Sequence, residues 1–89
     1  MSVIRRHYIL MGDVQGVGLR YRAVHAARHF GVTGFVSNCP DGTVELEAEG
    51  EPADIDAVLL AIERGTFVRI ENLRVREISV CGSLSFEIR

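Results

Sequence analysis

Apolar residues in this chain repeat at two different intervals, and the order in which the interval changes restricts the fold more than any single residue does. Ile4 to Met11 is rich in β-branched and aromatic residues, with Tyr8 and Leu10 on one face, which predicts a strand. From Arg20 the interval lengthens to a helical one. Ala23, Ala26, Ala27 and Phe30 form a stripe, Arg22, His25, Arg28 and His29 lie opposite, and Gly31 caps a helix expected over Leu19 to Phe30. Val32 to Asn38 reads as a second strand, and Cys39-Pro40-Asp41-Gly42 as a turn, because proline presets φ and glycine accepts the left-handed position. The return arm alternates Val44, Leu46 and Ala48 with Glu45, Glu47 and Glu49, the pattern of a half-buried strand. Pro52 suits the first turn of a second helix, with a stripe of Ile55, Val58, Leu59 and Ile62 ended by Gly65. Leu73 to Val80 is a fourth strand whose alternation slips between Glu77 and Ile78, where a bulge is expected. Cys81-Gly82-Ser83 turns, and Leu84, Phe86 and Ile88 alternate in a last short strand.

This order, β-α-β-β-α-β-β, predicts an α+β fold: a ferredoxin-like split βαβ sandwich with a mixed, mostly antiparallel sheet and two helices on one face. At 89 residues the chain has room for one modest core, and a single domain over residues 1–89 is expected. A right-handed crossover makes strands one and two parallel, so the segment after Met11 and the end of strand two at Asn38 emerge on one edge of the sheet. Strand four runs the other way, which places Cys81 at the far end from Cys39 and leaves both as free thiols.

Between the first strand and the first helix lies Gly12-Asp13-Val14-Gln15-Gly16-Val17-Gly18-Leu19-Arg20. Glycines at such a junction let the backbone curl its N–H groups inward, and the helix N-terminus adds free N–H groups and a partial positive charge. Arg20 contributes a planar, permanently charged fork able to hold two oxygens of one phosphate. The pattern is not a Walker loop, because Leu19 and Arg20 stand where Lys and Ser/Thr would reach the terminal phosphates. It is not a dinucleotide fingerprint either, because position 21 is Tyr21 rather than glycine or alanine.

Composition narrows the chemistry. Ten basic residues, all arginine, face twelve acidic ones, for a net charge of −2; lysine-dependent catalysis is absent, and the acidic balance disfavours nucleic acid as a partner. No apolar run approaches the roughly 18 residues of a membrane span, and no signal-peptide core is present, so no membrane partner and a cytoplasmic location are expected. Near the loop no Ser-His or Cys-His pair, carboxylate cluster or lysine is evident. A phosphate cradle, one guanidinium and one neutral amide remain. They position a phosphoryl group and neutralise its charge, which supplies most of the catalysis in phosphoryl transfer. With no acid to protonate an alkoxide, the leaving group must be a weak base, and a carboxylate, whose acid has a pKa of about 4, qualifies.

Gly12-x-Val14-Gln15-Gly16-Val17-Gly18-Leu19-Arg20 closely resembles the phosphate loop of the acylphosphatases. Gly34-Phe35-Val36-Ser37-Asn38-x-x-x-Gly42-x-Val44-x-x-x-x-x-Gly50 resembles that family's second signature, and the resemblance extends to the length and to the Phe86-Glu87-Ile88-Arg89 ending. It implies metal-independent hydrolysis of carboxyl-phosphate anhydrides such as acetyl phosphate, 1,3-bisphosphoglycerate and carbamoyl phosphate, without a cofactor. It also implies that Arg20 binds the substrate phosphate and Asn38 orients the attacking water. The backbone N–H groups of Gln15, Gly16, Val17, Gly18 and Leu19 would wrap the phosphate oxygens. The chain departs from the family pattern at Leu19, usually aromatic, at Ser37, usually longer, at Asp13, often basic, and in lacking the tyrosine that often follows Arg89. Asp13 brings a negative charge beside an anion site and is expected to weaken binding unless its side chain points away.

Other groups read as surface. His25 and His29 share a helix face at i, i+4, but Ala26 stands where a zinc protease has its glutamate, so no metal site is assigned. His7 reads as strand-edge polarity and the Glu45, Glu47, Glu49 row as a solvent face. A non-catalytic anion-binding or regulatory module on the same fold stays open as the second reading, and salt-sensitive binding of single-stranded nucleic acid as a third. Small size and few exposed apolar positions predict a monomer.

Overall fold

The computed structural model describes residues 2–89 and runs β1 (Ile4–Asp13), α1 (Leu19–Phe30), β2 (Thr33–Asn38), β3 (Val44–Gly50), α2 (Pro52–Glu63), β4 (Arg69–Ile78) and β5 (Phe86–Ile88). The strands form one sheet in the order β4-β1-β3-β2-β5. β1 pairs antiparallel with β3 and β4, β2 pairs antiparallel with β3, and β5 joins β2 in parallel. β1 and β2 therefore run the same way, as the crossover requires, and Asp13 and Asn38 end on one edge.

Alternation decides which face is covered. Tyr8, Leu10, Val36, Val44, Leu46 and Ala48 are buried together with Leu19, Ala23 and Ala27 of α1 and Ile55, Val58 and Ile62 of α2 in a single core. Pro52 opens α2 at its first turn, and Gly31 closes α1 in the left-handed conformation, its N–H donating to the Ala27 carbonyl.

Several expectations need correction. The irregularity expected at Glu77 and Ile78 lies earlier in β4, where Met11 and Gly12 of β1 pair with Asn72 and Ile70 and Glu71 is the extra residue; Glu77 and Ile78 pair regularly with Arg6 and Arg5. Glu77 is tolerated on the inner side because β4 is an edge strand that stays exposed to water. At Gly12 a side chain would run into the Arg69 carbonyl oxygen, so the bulge admits only glycine there. β4 also begins four residues early, at Arg69, where backbone pairing to β1 holds a polar stretch that lacks apolar alternation. Leu84 belongs to no strand and is 97% exposed, leaving Phe86 as the one buried residue of the last strand.

On the uncovered face, His7 is not at an edge, because β1 lies between β4 and β3. Its Nε2 lies 2.8 Å from Glu45 Oε2. Nor is the glutamate row merely solvated. Arg5 donates to Glu47 at 2.8 Å, to Glu49 at 3.2 Å and to the Ser83 hydroxyl at 3.1 Å. Glu49 in turn accepts the N–H groups of Cys81 and Gly82 at 2.9 and 3.1 Å, tying the segment after β4 to the sheet.

Candidate active site

The segment between β1 and α1 takes its shape from two glycines. Gly16 and Gly18 have φ of 70° and 75°, while no residue other than glycine has positive φ among the described residues. Left-handed residues thus alternate with ordinary ones across 15–19, a geometry that turns successive N–H groups toward one concave side. A side chain at either glycine would meet nothing within 4 Å, so glycine is required there by conformation and not by space. Gly18 is also the N-cap of α1. The helix start has no side-chain cap and no acidic residue in its first turn, so its N–H groups and partial positive charge remain available to an anion.

A cavity of about 130 Å³ opens beside this segment, lined by Val14, Gly16, Gly18, Leu19, Arg20, Tyr21 and Asn38. Arg20 and Asn38, expected to meet, both line it. Of the loop positions named from sequence, Gly16, Gly18 and Leu19 line it as well, whereas Gln15 and Val17 do not. Asp13 also stays outside the lining, exposed and opposite Arg69 in the β1–β4 register. Val14 and Tyr21 are additions that sequence reading did not single out. Tyr21 is 70% exposed at a helix start, and its position beside Arg20 is the only signal the sequence offers for it.

Two features make the cavity chemically specific. Arg20 is half-buried and has no carboxylate within ion-pair distance among the described residues, so its charge is free for a ligand. Asn38 ends β2, and its Oδ1 is the buried side-chain polar atom without a hydrogen-bond partner among the described residues. A buried acceptor left in this way costs about 1–3 kcal/mol unless something donates to it.

Gln15, although outside the lining, holds the site's two halves together. Its Nε2 donates to the Cys39 carbonyl at 2.7 Å and to the Thr43 carbonyl at 2.8 Å, both in the turn that follows Asn38. That turn is stiffened by Asp41, whose Oδ1 accepts from the Thr43 N–H at 3.0 Å and from its hydroxyl at 2.6 Å. The Thr43 hydroxyl, then its N–H, hold the Asp41 carboxyl below the usual range.

A larger hollow of about 590 Å³ between α2 and β4 offers less to a phosphate and is floored by Leu59, Leu60, Leu73 and Val75. Its one guanidinium, Arg6, is paired with Asp56 at 2.8 Å, and Glu63 adds a further negative charge. On the open face, donor atoms of His7, Glu45 and Glu47 lie within 4.8 Å of one another, but Arg5 engages Glu47 and His7 engages Glu45.

The chain is similar to known proteins over nearly its whole length. The acylphosphatase family model matches residues 6–88. An acylphosphatase of Methylococcus capsulatus is 44% identical over 82 residues, covering 91% of this chain and 89% of the relative. One from Methanospirillum hungatei is 41% identical over 83 residues, 91% of each. The crystal structure of acylphosphatase from Bacillus subtilis superposes with a TM-score of 0.90 at 33% identity, over 97% of this chain and 98% of that one. Glycine-shaped loop, free arginine and neighbouring asparagine thus occur in a chain that matches its relatives over nearly its whole length: it belongs to the acylphosphatase family.

Proposed function

We propose that the chain hydrolyses the carboxyl-phosphate bond of small acyl phosphates at the cavity between the Gln15–Arg20 segment and Asn38. The phosphoryl group sits on the N–H groups of the loop and helix start, with the Arg20 guanidinium gripping two of its oxygens. The observation that carries the reading is that Asn38, whose buried Oδ1 has no hydrogen-bond partner among the described residues, lines the same cavity as Arg20. A water that donates one hydrogen to this oxygen has its lone pair directed at phosphorus. Its oxygen forms the new bond to phosphorus while the bond to the acyl oxygen breaks, and the products are a carboxylate and inorganic phosphate. Because the leaving carboxylate is a weak base, no general acid is needed, and positioning with charge neutralisation carries the rate.

Benzoyl phosphate, followed by ultraviolet absorbance in excess chelator, tests this directly. Turnover well above the spontaneous rate is expected and falls steeply in Arg20→Ala and Asn38→Ala. A folded wild-type protein with no turnover, or undiminished turnover in both variants, refutes it.

We also propose a cytoplasmic monomer. Two free cysteines, Cys39 and Cys81, at opposite ends of the sheet suit a reducing compartment, and size-exclusion chromatography with light scattering checks the subunit count.

A further inference from the structure

The Gln15 carboxamide carries two hydrogens on nitrogen and places both on backbone carbonyls of one turn. That turn is already a closed ring: the Cys39 N–H donates to the Thr43 carbonyl at 2.9 Å and the Gly42 N–H to the Cys39 carbonyl at 3.1 Å. Gln15 therefore grips a stiff object, and Asn38 is the residue immediately before it. The loop and the ring belong to different segments, 24 residues apart where Gln15 meets Cys39. Both acceptors are main-chain atoms, so the grip is independent of which residues stand at 39 and 43.

We propose that Gln15 is a positioning residue that fixes the spacing between the phosphate loop and Asn38, and so the aim of the attacking water. This rests on the acyl-phosphate reading above. Holding the phosphoryl group depends on the loop and Arg20 alone. Aiming a water at phosphorus depends on where Asn38 stands relative to them, and a misplacement of about 1 Å costs on the order of 100-fold in rate. Loss of the grip therefore falls on the chemical step.

The experiment compares Gln15→Met, which keeps length but has no donor, and Gln15→Asn, which keeps the donors one methylene short. Benzoyl phosphate kinetics, calorimetric binding of inorganic phosphate and thermal unfolding are measured for both. We expect kcat to fall about 10- to 100-fold with the phosphate Kd within about threefold of wild type. Repeated on an Asn38→Ala background at high enzyme concentration, Gln15→Met is expected to cost less than about threefold, because no aimed water remains to be disturbed. A role confined to stability lowers the melting temperature and leaves the same rate factor in both backgrounds. Wild-type kcat in a folded Gln15→Met, phosphate affinity lost in proportion to rate, or an equal loss with and without Asn38 overturns the proposal. If Gln15→Met does not fold, Gln15→Asn gives the same readouts. An inactive wild type removes the acyl-phosphate reading and this inference with it, whereas an active wild type matched by its Gln15 variants removes this inference alone.

Discussion

Nη1 of Arg5 lies 3.2 Å from Oε1 of Glu49, and both side chains are less than a tenth exposed. Burial by itself raises the Glu49 carboxyl, but the Cys81 N–H, the Arg5 guanidinium and the Gly82 N–H outweigh it and hold the group below its ordinary 4.5. Because its folded-state value is depressed, Glu49 adds stability that is present above about pH 4.5 and is lost as pH falls through the folded-state value. Glu49→Gln should therefore destabilise the protein by about 1–3 kcal/mol at pH 7. Urea unfolding of both proteins at pH 7 and in acid checks this, and the gap between them narrows at low pH. A gap that stays constant with pH rules out the ionised carboxylate as its source.

Glycines at the bulge and in the loop separate two reasons for requiring that residue. Gly18→Ala meets no atom but forces an L-residue to φ 75°, at a cost of about 1–2 kcal/mol. In a domain of this size that lowers the melting temperature by about 4–16 °C. Gly12→Ala adds an overlap with the Arg69 carbonyl and costs about 1–3 kcal/mol more. D-alanine introduced at position 18 by chemical ligation is expected to cost less stability than L-alanine, because positive φ suits the D-enantiomer. Equal losses from both enantiomers would contradict the conformational account.

Phosphate should act as a stabilising ligand through Arg20. At 100 times its Kd a ligand that binds only the folded state adds about 2.7 kcal/mol. Differential scanning fluorimetry should show a phosphate-dependent rise in melting temperature that disappears in Arg20→Ala. A rise of equal size in that variant places the anion elsewhere.

The two signature residues should fail differently in kinetics. Arg20→Ala removes charge that contacts the phosphate before and during reaction, so KM rises as kcat falls, with kcat/KM lower by about 100-fold or more. Asn38→Ala removes the aim of the water and mainly lowers kcat. Steady-state parameters with benzoyl phosphate separate these patterns, and the same pattern in both variants argues against divided roles.

The meeting of Arg20 and Asn38 was legible because it needs only strand order: parallel β1 and β2 end on one edge whatever their exact register. The Arg5–Glu49 pair was not, although Arg5 and His7 alternate along β1 as Glu45, Glu47 and Glu49 do along β3. Matching the two rows requires the register that pairs Arg5 with Glu49 and His7 with Glu47. Gln15 was legible as a loop residue but its side-chain partners were not, because main-chain carbonyls carry no residue identity. The start of β4 was hidden for a related reason: Arg69, Ile70 and Asn72 pair with β1 through their backbone at an edge where no apolar period is imposed.

If the phosphoryl group is held as proposed, by peptide groups shaped by Gly16 and Gly18, the grip has few side chains to delete. Systematic truncation to alanine across Val17 and Leu19 leaves every amide in place, so such a scan would credit two residues with work that the main chain shares. On the proposed reading, the side chains at positions 17 and 19 can change without removing an amide, provided the two achiral positions survive.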